Sequence, residues 1–488
     1  MGRRWLADDR RGNSKSEYLS RKQCAGGKSI PIVSQVTPAC KAFSSLFNRN
    51  DLVIPMRSAK TMFGPKSHLT LRHNHLFIED VDCVSLAEEH GTPLYVTSES
   101  RLRENIRAYH RAFPHADKYF AVKANGSLSL LRIAAQEGMG ADIFSPGELS
   151  LVRMAGIPRE MILYNGNSKS EPDHEMAILA GVRMSVDSRE ELEHLAETAR
   201  RMGREAEILF RINPDVSPQT HPKIATGLRS SKFGIPAEQV AETYKRAMEL
   251  EGIRPVGLHC HIGSQILDTA PFAEAAGKMM DIAAAVAAAG GKVERMDLGG
   301  GLGIQYHPDS PAPTPADLAS AVLPIFERRC RDLGIAPKLI LEPGRSIVAD
   351  STIMLTRINV VKRAHLNFAA VDAGFNVLAR PMLYDSYHHV LAAGRADEPA
   401  AESYTVVGPI CETGDILAKE RRLPALERGD ILAFLDAGAY GFSMASQYNG
   451  QPRPAEVLVC GSRADVIRRA EDASSLLAGQ KILPRLMW

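Results

Sequence analysis

The fold is decided by the stretch RMSVDSREELEHLAETARRMGREAEILFRIN, which spans residues 183–213. A short apolar segment, Arg183–Asp187, precedes an amphipathic helix pattern over Arg189–Met202, and a second apolar segment, Ile208–Asn213, follows it. Strands that alternate with helices lie parallel in one sheet, since each helix returns the chain to the edge where the strand began. The stretch therefore predicts a strand–helix–strand unit with parallel strands.

The same alternation continues over the middle of the chain and gives eight strand candidates. Eight such units fit a closed (β/α)8 TIM barrel better than an open doubly wound sheet, which usually has about six strands. The candidates are Tyr119–Ala124, Ala141–Ser145, Met161–Asn165, Arg183–Asp187, Ile208–Asn213, Val256–Ile262, Arg295–Leu298 and Lys338–Leu341.

A second domain is predicted after the barrel, where helix patterns become rare and β-rich segments follow one another. We expect this all-β domain to be discontinuous, because Leu69–Ile78, ahead of the barrel, also has a strand pattern. The predicted α/β organisation is a basic extension over 1–61, the N-terminal part of the β-domain over 62–91, the barrel over 92–345, and the C-terminal part of the β-domain over 346–488.

The overall composition is that of a soluble globular protein, with 44% hydrophobic and 24% charged residues. The formal net charge of +2 gives no sign of a nucleic-acid partner or a membrane surface. No apolar run approaches the roughly 18 residues that a membrane span needs. The seven cysteines are scattered without paired spacing, so we expect reduced thiols and a cytoplasmic location.

Residues 1–61 differ from the rest of the chain, with 12 Lys and Arg against 4 Asp and Glu. A basic segment poor in acids is typical of an organelle transit peptide. A disordered extension, or translation from an upstream start codon with Met62 as the true start, explains the same composition. All three interpretations stay open.

Lys123 draws attention because a barrel carries its active site at the C-terminal ends of its strands. It lies in Tyr119-Phe-Ala-Val-Lys-Ala-Asn125, near the end of an apolar strand candidate. A lysine there either reaches solvent, or is a desolvated amine with a lowered pKa that suits Schiff-base chemistry.

Two further strand ends carry candidate groups. Gly299-Gly-Gly301 follows the seventh strand, where such barrels usually bind phosphate, although a plain turn is the alternative. Glu342-Pro-Gly-Arg345 ends the eighth strand and fits a structural ion pair. Beside a pyridine cofactor, the glutamate would instead face the ring nitrogen and the arginine would bind an anion.

His259 and His261 lie on the same side of the sixth strand candidate. Metal ions are commonly bound by such pairs, but no carboxylate or cysteine nearby in the sequence completes a ligand set. We therefore predict no metal, and expect one histidine to stack on a flat cofactor ring.

Six blocks of the sequence, in this order, resemble the signature motifs of the diaminopimelate decarboxylases, which belong to the alanine-racemase-like, fold-type III class of pyridoxal-phosphate enzymes. The resemblance covers about residues 70 to 470. The blocks are Phe120-Ala-Val-Lys-Ala-Asn125, Gly257-Leu-His-Cys-His-Ile-Gly-Ser-Gln265, Asp297-Leu-Gly-Gly-Gly-Leu-Gly303, Glu342-Pro-Gly-Arg345, Gly408-Pro-Ile-Cys-Glu412 and Asp436-Ala-Gly-Ala-Tyr-Gly441.

The resemblance implies a pyridoxal 5'-phosphate cofactor and a role for each matching residue. Lys123 would carry the cofactor as a Schiff base, His261 would stack on its ring, and Asp142 would orient one of these two. Glu342 would hold the pyridine nitrogen. The residues implied around the phosphate are Gly299, Gly300, Gly301, Gly344, Arg345 and Ser264, with Tyr440 nearby.

The resemblance also implies the reaction, which is decarboxylation of meso-diaminopimelate to L-lysine and carbon dioxide, the last step of lysine biosynthesis. Cys411, as proton donor, and Glu412, as a ligand for the distal ammonium group, would reach the active site of a partner subunit in a homodimer. The residues implied around the distal amino-carboxylate are Arg345, Arg380, Tyr384 and Tyr440.

Three alternatives remain at this stage. The nearest is a sister decarboxylase that acts on ornithine, lysine, arginine or carboxynorspermidine. Two residues depart from the family pattern: the family usually has aspartate in place of Val377 and glycine in place of Pro146. A racemase of this fold would place an arginine, rather than Glu342, at the ring nitrogen. A regulatory homologue without activity would typically lose the lysine, the phosphate glycines or the cysteine.

Overall fold

The computed structural model describes residues 68–218 and 231–487, and the predictions made for residues 1–61 lie outside the described residues. Ahead of the barrel the chain forms a three-stranded antiparallel sheet, a helix, a further strand and a longer helix. These elements are β1 (Leu69–Arg72), β2 (His75–Ile78), β3 (Val81–Asp82), α1 (Cys83–His90), β4 (Leu94–Ser98) and α2 (Glu99–Ala112).

Strands and helices then alternate through the middle of the chain, as the sequence predicts. The elements are β5 (Asp117–Ala121), α3 (Leu128–Gln136), β6 (Gly140–Ile143), α4 (Pro146–Met154), β7 (Ile162–Tyr164), α5 (Glu171–Ala180), β8 (Arg183–Val186), α6 (Arg189–Met202), β9 (Ala206–Asn213), β10 (Ile235–Pro236), α7 (Val240–Glu249), β11 (Ile253–Cys260), α8 (Ala270–Ala288), β12 (Arg295–Asp297), α9 (Pro315–Leu333), β13 (Lys338–Leu341) and α10 (Arg345–Val348).

Eight of these strands form a closed parallel barrel in the order β5-β6-β7-β8-β9-β11-β12-β13. The ring closes because Ile340 of β13 pairs with Asp117 of β5. The short strand β10 pairs with the end of β9. The predicted TIM barrel is confirmed, and each of the eight predicted strands overlaps an observed one.

Local capping chemistry explains the strand–helix–strand unit of residues 183–213. The Ser188 side chain accepts the backbone N–H of Glu191 at the start of α6, and Gly203 ends the helix in the left-handed conformation at φ 59°. Leu192 and Leu195 are fully buried, so the helix packs one apolar face on the barrel. None of the helices in the described ranges is long and apolar enough to cross a membrane.

Side chains fill the barrel on both surfaces of its sheet. Outside, the helices bury one large apolar core against the strands. Inside, a smaller cluster comes from five of the eight strands, as expected for side chains that fill the interior of a barrel. The inner cluster consists of Tyr119, Leu163, Leu209, Val256 and Ile340.

A second sheet follows the barrel and runs in the order β18-β17-β15-β14-β4-β20-β21, with β16 and β19 pairing beside β14. Its further elements, together with the helices between and after them, are β14 (Thr352–Arg363), β15 (Asn367–Val371), α11 (Arg380–Tyr384), β16 (Val390–Ala392), β17 (Glu402–Val407), β18 (Ile416–Leu423), β19 (Ile431–Phe434), β20 (Ala455–Cys460), β21 (Arg463–Arg468) and α12 (Ala473–Leu477).

The strand that this sheet takes from the N-terminal side is β4, which lies in the range predicted for the barrel. All five residues of β4 are buried, as suits a strand between two neighbours, β14 and β20. Residues 69–78 form strands of the separate three-stranded sheet, but Leu69, Leu76 and Ile78 share an apolar core with Val96 and Ile353.

Replacing Gly257 of β11 by alanine is expected to destabilise the barrel by about 1–3 kcal/mol, because overpacking at this junction forces the strands apart. The new Cβ would lie 2.3 Å from the carbonyl oxygen of Arg295 on β12. The thermal unfolding midpoint measures the effect. Gly277→Ala in α8 is the matched control, since its Cβ meets nothing within 4 Å, and an equal loss in both variants would contradict the packing argument.

Candidate active site

Lys123 lies in a short 3₁₀ turn, Val122–Ala124, that follows β5 at the C-terminal mouth of the barrel. The strand that was predicted to continue to Ala124 therefore ends at Ala121, two residues before the lysine. The Nζ atom of Lys123 donates a hydrogen bond to Asp142, which is fully buried on β6, and lies 4.4 Å from the centroid of the Phe144 ring. The parallel pairing of β5 and β6 brings the two charged groups together.

The lowered pKa that the sequence suggests for Lys123 is wrong for this geometry. Burial alone lowers the pKa of the amine, but the carboxylates of Asp142 and Glu342 and the hydroxyl of Tyr440 oppose it. Together they raise the pKa of Lys123 to about 12. Lys123 is therefore an ammonium group held by its ion pair.

Asn165, at the end of β7, bridges two carboxylates that the sequence separates widely. Its Nδ2 donates to Asp142 Oδ1 at 2.5 Å and to Glu342 Oε1 at 2.7 Å. Asn165 is itself fully buried. One amide thus orients the partner of Lys123 and the glutamate expected at the ring nitrogen.

Glu342 has a second neighbour in His259, whose Nε2 lies 3.4 Å from its Oε2. The Nδ1 atom of His259 is 2.8 Å from the Ser185 hydroxyl. Burial favours the neutral acid, yet the contact with His259 and the positive charge of Lys123 prevail and lower the pKa of Glu342 to about 2. A carboxylate is therefore maintained at the centre of the barrel mouth.

One histidine of the predicted pair, His259, lies near two carboxyl groups that are distant from it in the sequence. His259, Asp297 and Glu342 place one ligand atom each within 4.8 Å of one another, because neighbouring strands supply the acids. Burial raises the pKa of Asp297 well above its usual range, and a protonated acid is a poor metal ligand. The absence of a bound metal stays a prediction.

His261 faces the glycine loop after β12. Its Nδ1 accepts the backbone N–H of Gly300 at 3.2 Å, which leaves the proton on Nε2. Burial, with the charges of Lys123 and Arg211, lowers the pKa of His261 to about 3. The ring is therefore neutral.

The predicted phosphate glycines lie where any side chain would collide with neighbouring backbone. A Cβ at Gly300 would lie 2.0 Å from the carbonyl oxygen of Glu342, and one at Gly301 would lie 2.4 Å from that of Gly263. Gly299 and Gly301 also have φ values of +69° and +121°. Gly344 is similarly confined, with its Cβ position 3.0 Å from the Cβ of Ala121.

Two guanidinium groups are buried beside this loop. Arg345 donates to the Ser264 hydroxyl and to the Tyr306 hydroxyl, both at 2.9 Å. Arg380 donates to His388 Nε2 at 2.9 Å. Within residues 68–218 and 231–487 no ion pair joins either arginine to a carboxylate. The carboxyl group of Asp436 is near enough to interact with Arg380, but burial raises the pKa of Asp436 well above its usual range, which favours the neutral acid. The positive charge of the two arginines is therefore available to an anion.

The residues predicted near the substrate come from the second sheet and its loops. Tyr440 places its ring 4.9 Å from the guanidinium carbon of Arg345 and adopts a left-handed φ of 58°. Its N–H donates to the carbonyl of Ala124, beside Lys123. Tyr384 ends α11, the helix that Arg380 begins.

Cys411 and Glu412 lie on an exposed loop after β17. The loop is braced by Asp415, whose carboxylate accepts the N–H groups of Phe375 and Ile410. Among the hydrogen bonds and ion pairs of the described residues, none joins Cys411 or Glu412 to Lys123. The structure therefore leaves these two residues apart from the rest of the predicted site.

Tyr306, His388 and Ser185 are site residues that were not predicted from the sequence, and Asn165 was predicted only as the end of a strand. Asn165 and Ser185 lie on neighbouring barrel strands, so the rule that strand ends form the site points to them. Tyr306 and His388 lie in loops, where no periodic pattern marks them.

Comparison with known proteins agrees with this geometry. Residues 99–349 match the family described as pyridoxal-dependent decarboxylase, pyridoxal binding domain. A diaminopimelate decarboxylase of Archaeoglobus fulgidus is 55% identical over 407 residues, which cover 83% of this chain and 97% of that protein. The crystal structure of diaminopimelate decarboxylase from M. jannaschii in co-complex with L-lysine has 38% identity and a TM-score of 0.81, covering 86% of this chain and 99% of that one. The Helicobacter pylori diaminopimelate decarboxylase complexed with L-lysine has 35% identity and a TM-score of 0.76, covering 80% and 98%.

Replacing Asp142 by asparagine is expected to lower the pKa of Lys123, because the variant loses the carboxylate that favours the ammonium form. Acylation of Lys123 by acetic anhydride at pH 9, followed by mass spectrometry on protein freed of bound cofactor, should become several-fold faster. Exposed Lys419, which pairs with Asp385, serves as an internal control. An unchanged acylation rate at Lys123 would show that Asp142 does not govern its charge.

Proposed function

The chain belongs to the pyridoxal-dependent decarboxylases, and on that premise we propose how its residues release carbon dioxide from meso-diaminopimelate and leave L-lysine. The decarboxylase predicted from the six sequence blocks is confirmed, and so is the cofactor, pyridoxal 5'-phosphate. The reaction is the last step of lysine biosynthesis. The observation that carries the mechanism is the convergence at one barrel mouth of Lys123, the buried carboxylate of Glu342 and two buried guanidinium groups.

The residues present fit pyridoxal 5'-phosphate at both ends. The amine of Lys123 would hold the aldehyde carbon, the neutral ring of His261 would stack on the pyridine, and Glu342 would meet the ring nitrogen. When bound, the cofactor withdraws the electron pair that the departing carboxyl group leaves behind. The backbone of the confined glycine loop would surround the phosphate. The residues that would bind or lie near the phosphate are Gly299, Gly300, Gly301, Gly344, Ser264, Arg345 and Tyr440.

Glu342 is suited to hold a proton on the ring nitrogen, because it stays ionised when buried. A protonated pyridine nitrogen makes the ring a strong acceptor of electrons. Asn165 and His259 fix the carboxylate from two sides. An arginine at this position, as expected for a racemase, would leave the nitrogen unprotonated.

The substrate proposal depends on Arg380 and Arg345. Since neither guanidinium has a carboxylate partner in the described residues, a carboxylate carried by the substrate would complete the charge balance. Diaminopimelate brings such a group at the end of the molecule that does not react. Tyr384 and Tyr440 are assigned to the same end, and a simple diamine product would leave both cations unpaired.

Cys411 and Glu412 are assigned to the active site of a partner subunit, which makes the enzyme a homodimer. Their exposure on a loop away from their own barrel supports this assignment. Cys411 would deliver a proton to the carbon that lost the carboxyl group, and Glu412 would hold the distal ammonium group. We assign the enzyme to the cytoplasm, where the thiol of Cys411 stays reduced.

Lys123→Ala is expected to lose the visible absorbance of the bound cofactor and at least about 1,000-fold in kcat, because no other amine replaces it. Carbon dioxide release from meso-diaminopimelate measures the activity, and L-ornithine and L-lysine, which lack a second carboxylate, should be poor substrates for the wild type. The exposed Lys419→Ala serves as the control. Wild-type turnover by Lys123→Ala would refute the mechanism, and a preference for ornithine would refute the substrate.

Mixing two inactive variants, Lys123→Ala and Cys411→Ala, and allowing the subunits to exchange is expected to restore about a quarter of wild-type activity. Half of the dimers would be mixed, and each mixed dimer would contain one intact active site. Activity is measured before and after exchange. If the mixture stayed inactive while size-exclusion chromatography showed exchanged dimers, the shared active site would be wrong.

A further inference from the structure

Tyr306, in the loop between β12 and α9, has only 9% of its surface exposed. Its hydroxyl oxygen accepts the hydrogen bond from Arg345 Nη1. The guanidinium carbon of Arg380 lies 4.4 Å from the centroid of its ring. His388, which accepts from Arg380, meets the same ring edge-on at a centroid distance of 5.4 Å. One side chain thus contacts both cations and the residue that orients one of them.

The orientation of His388 is fixed from both sides. Its Nδ1 lies 2.8 Å from the carbonyl oxygen of Leu435, which can only accept a hydrogen bond, so the proton is on Nδ1. Nε2 then has a free lone pair and accepts from Arg380. His388 is fully buried, and this arrangement holds Arg380 against the Tyr306 ring.

Two buried guanidiniums repel each other, and each is costly to bury without a partner. Tyr306 offsets part of the cost of burying each arginine, since its ring face attracts Arg380 and its hydroxyl oxygen accepts a hydrogen bond from Arg345. It does so without a negative charge. A carboxylate in its place would neutralise the pair, whereas the tyrosine leaves the positive field available to an anionic ligand.

We propose that Tyr306 is a specificity-determining positioning residue, which holds Arg345 and Arg380 at the spacing that a substrate carboxylate requires. The inference rests on the proposed function, because the ligand concerned is the unreacted amino-carboxylate of diaminopimelate, which L-lysine retains. A molecule of the same length without that carboxylate gains nothing from the arrangement. Tyr306 therefore selects amino-carboxylates over plain diamines.

The test compares how the holoenzyme binds L-lysine and cadaverine, which is L-lysine without its carboxyl group, by titration calorimetry. Tyr306→Phe loses the hydroxyl but keeps the ring, and is expected to weaken L-lysine binding about 3- to 10-fold. Tyr306→Leu loses both contacts, and is expected to weaken it about 10- to 100-fold. Cadaverine binding should change by less than about 2-fold in either variant.

Tyr404→Leu is the matched control, because Tyr404 is also buried and its hydroxyl donates to Glu402 rather than contacting Arg345 or Arg380. It should lower the thermal unfolding midpoint and leave the ratio of the two affinities unchanged. If the ratio of the L-lysine and cadaverine affinities were unchanged in Tyr306→Leu, the inference would be overturned and the proposed function would stand. The near-isosteric Tyr306→Phe gives the same test if the leucine variant does not fold. A wild-type enzyme that bound L-lysine and cadaverine equally would overturn the proposed function and the inference with it.

Discussion

The barrel mouth depends on one electrostatic constraint. Charged groups of both signs lie close together there, and the two arginines must stay separate from the carboxylates that surround Lys123. Lys123 pairs with Asp142, and Glu342 lies beside them through the bridge of Asn165. Arg345 and Arg380 instead contact hydroxyl groups, a neutral histidine and aromatic rings, and burial favours the neutral form of the nearby Asp436 carboxyl. Had a carboxylate been placed with the arginines, the site would hold no unpaired positive charge for phosphate or substrate.

The second sheet takes part in the site because its loops reach back to the barrel. The Asn125 side chain donates to the carbonyl of Gly438, and the backbone N–H of Tyr440 donates to Ala124. These bonds hold the loop next to the turn that carries Lys123. The left-handed backbone of Tyr440, uncommon for a residue with a side chain, is the local cost of bringing its ring over Arg345.

The barrel was predictable from sequence because its signals are local. Apolar segments of four to seven residues, helix patterns and caps such as Ser188 and Gly203 occur within a single strand–helix unit. The same regularity places Lys123, His261 and Glu342 at strand ends. Their mutual arrangement then follows from the barrel rule that strand ends meet at one mouth.

What could not be predicted arises from contacts between distant parts of the chain. The apolar neighbours of Lys123 in sequence suggest a lowered pKa, whereas Asp142 on the next strand reverses the direction. Tyr306 and His388 acquire their roles only when a loop of the barrel meets a loop of the second sheet. No spacing in the sequence marks such a meeting.

The position of β4 has a consequence for how the chain is made. This strand leaves the ribosome before the barrel, yet both of its neighbours, β14 and β20, are synthesised after it. During synthesis both edges of this apolar strand therefore stay unpaired while the roughly 250 residues of the barrel are made and fold. Because unpaired apolar strand edges promote aggregation, we expect the yield of the enzyme in a cell to depend on how well the nascent strand is protected until the C-terminal segment is made.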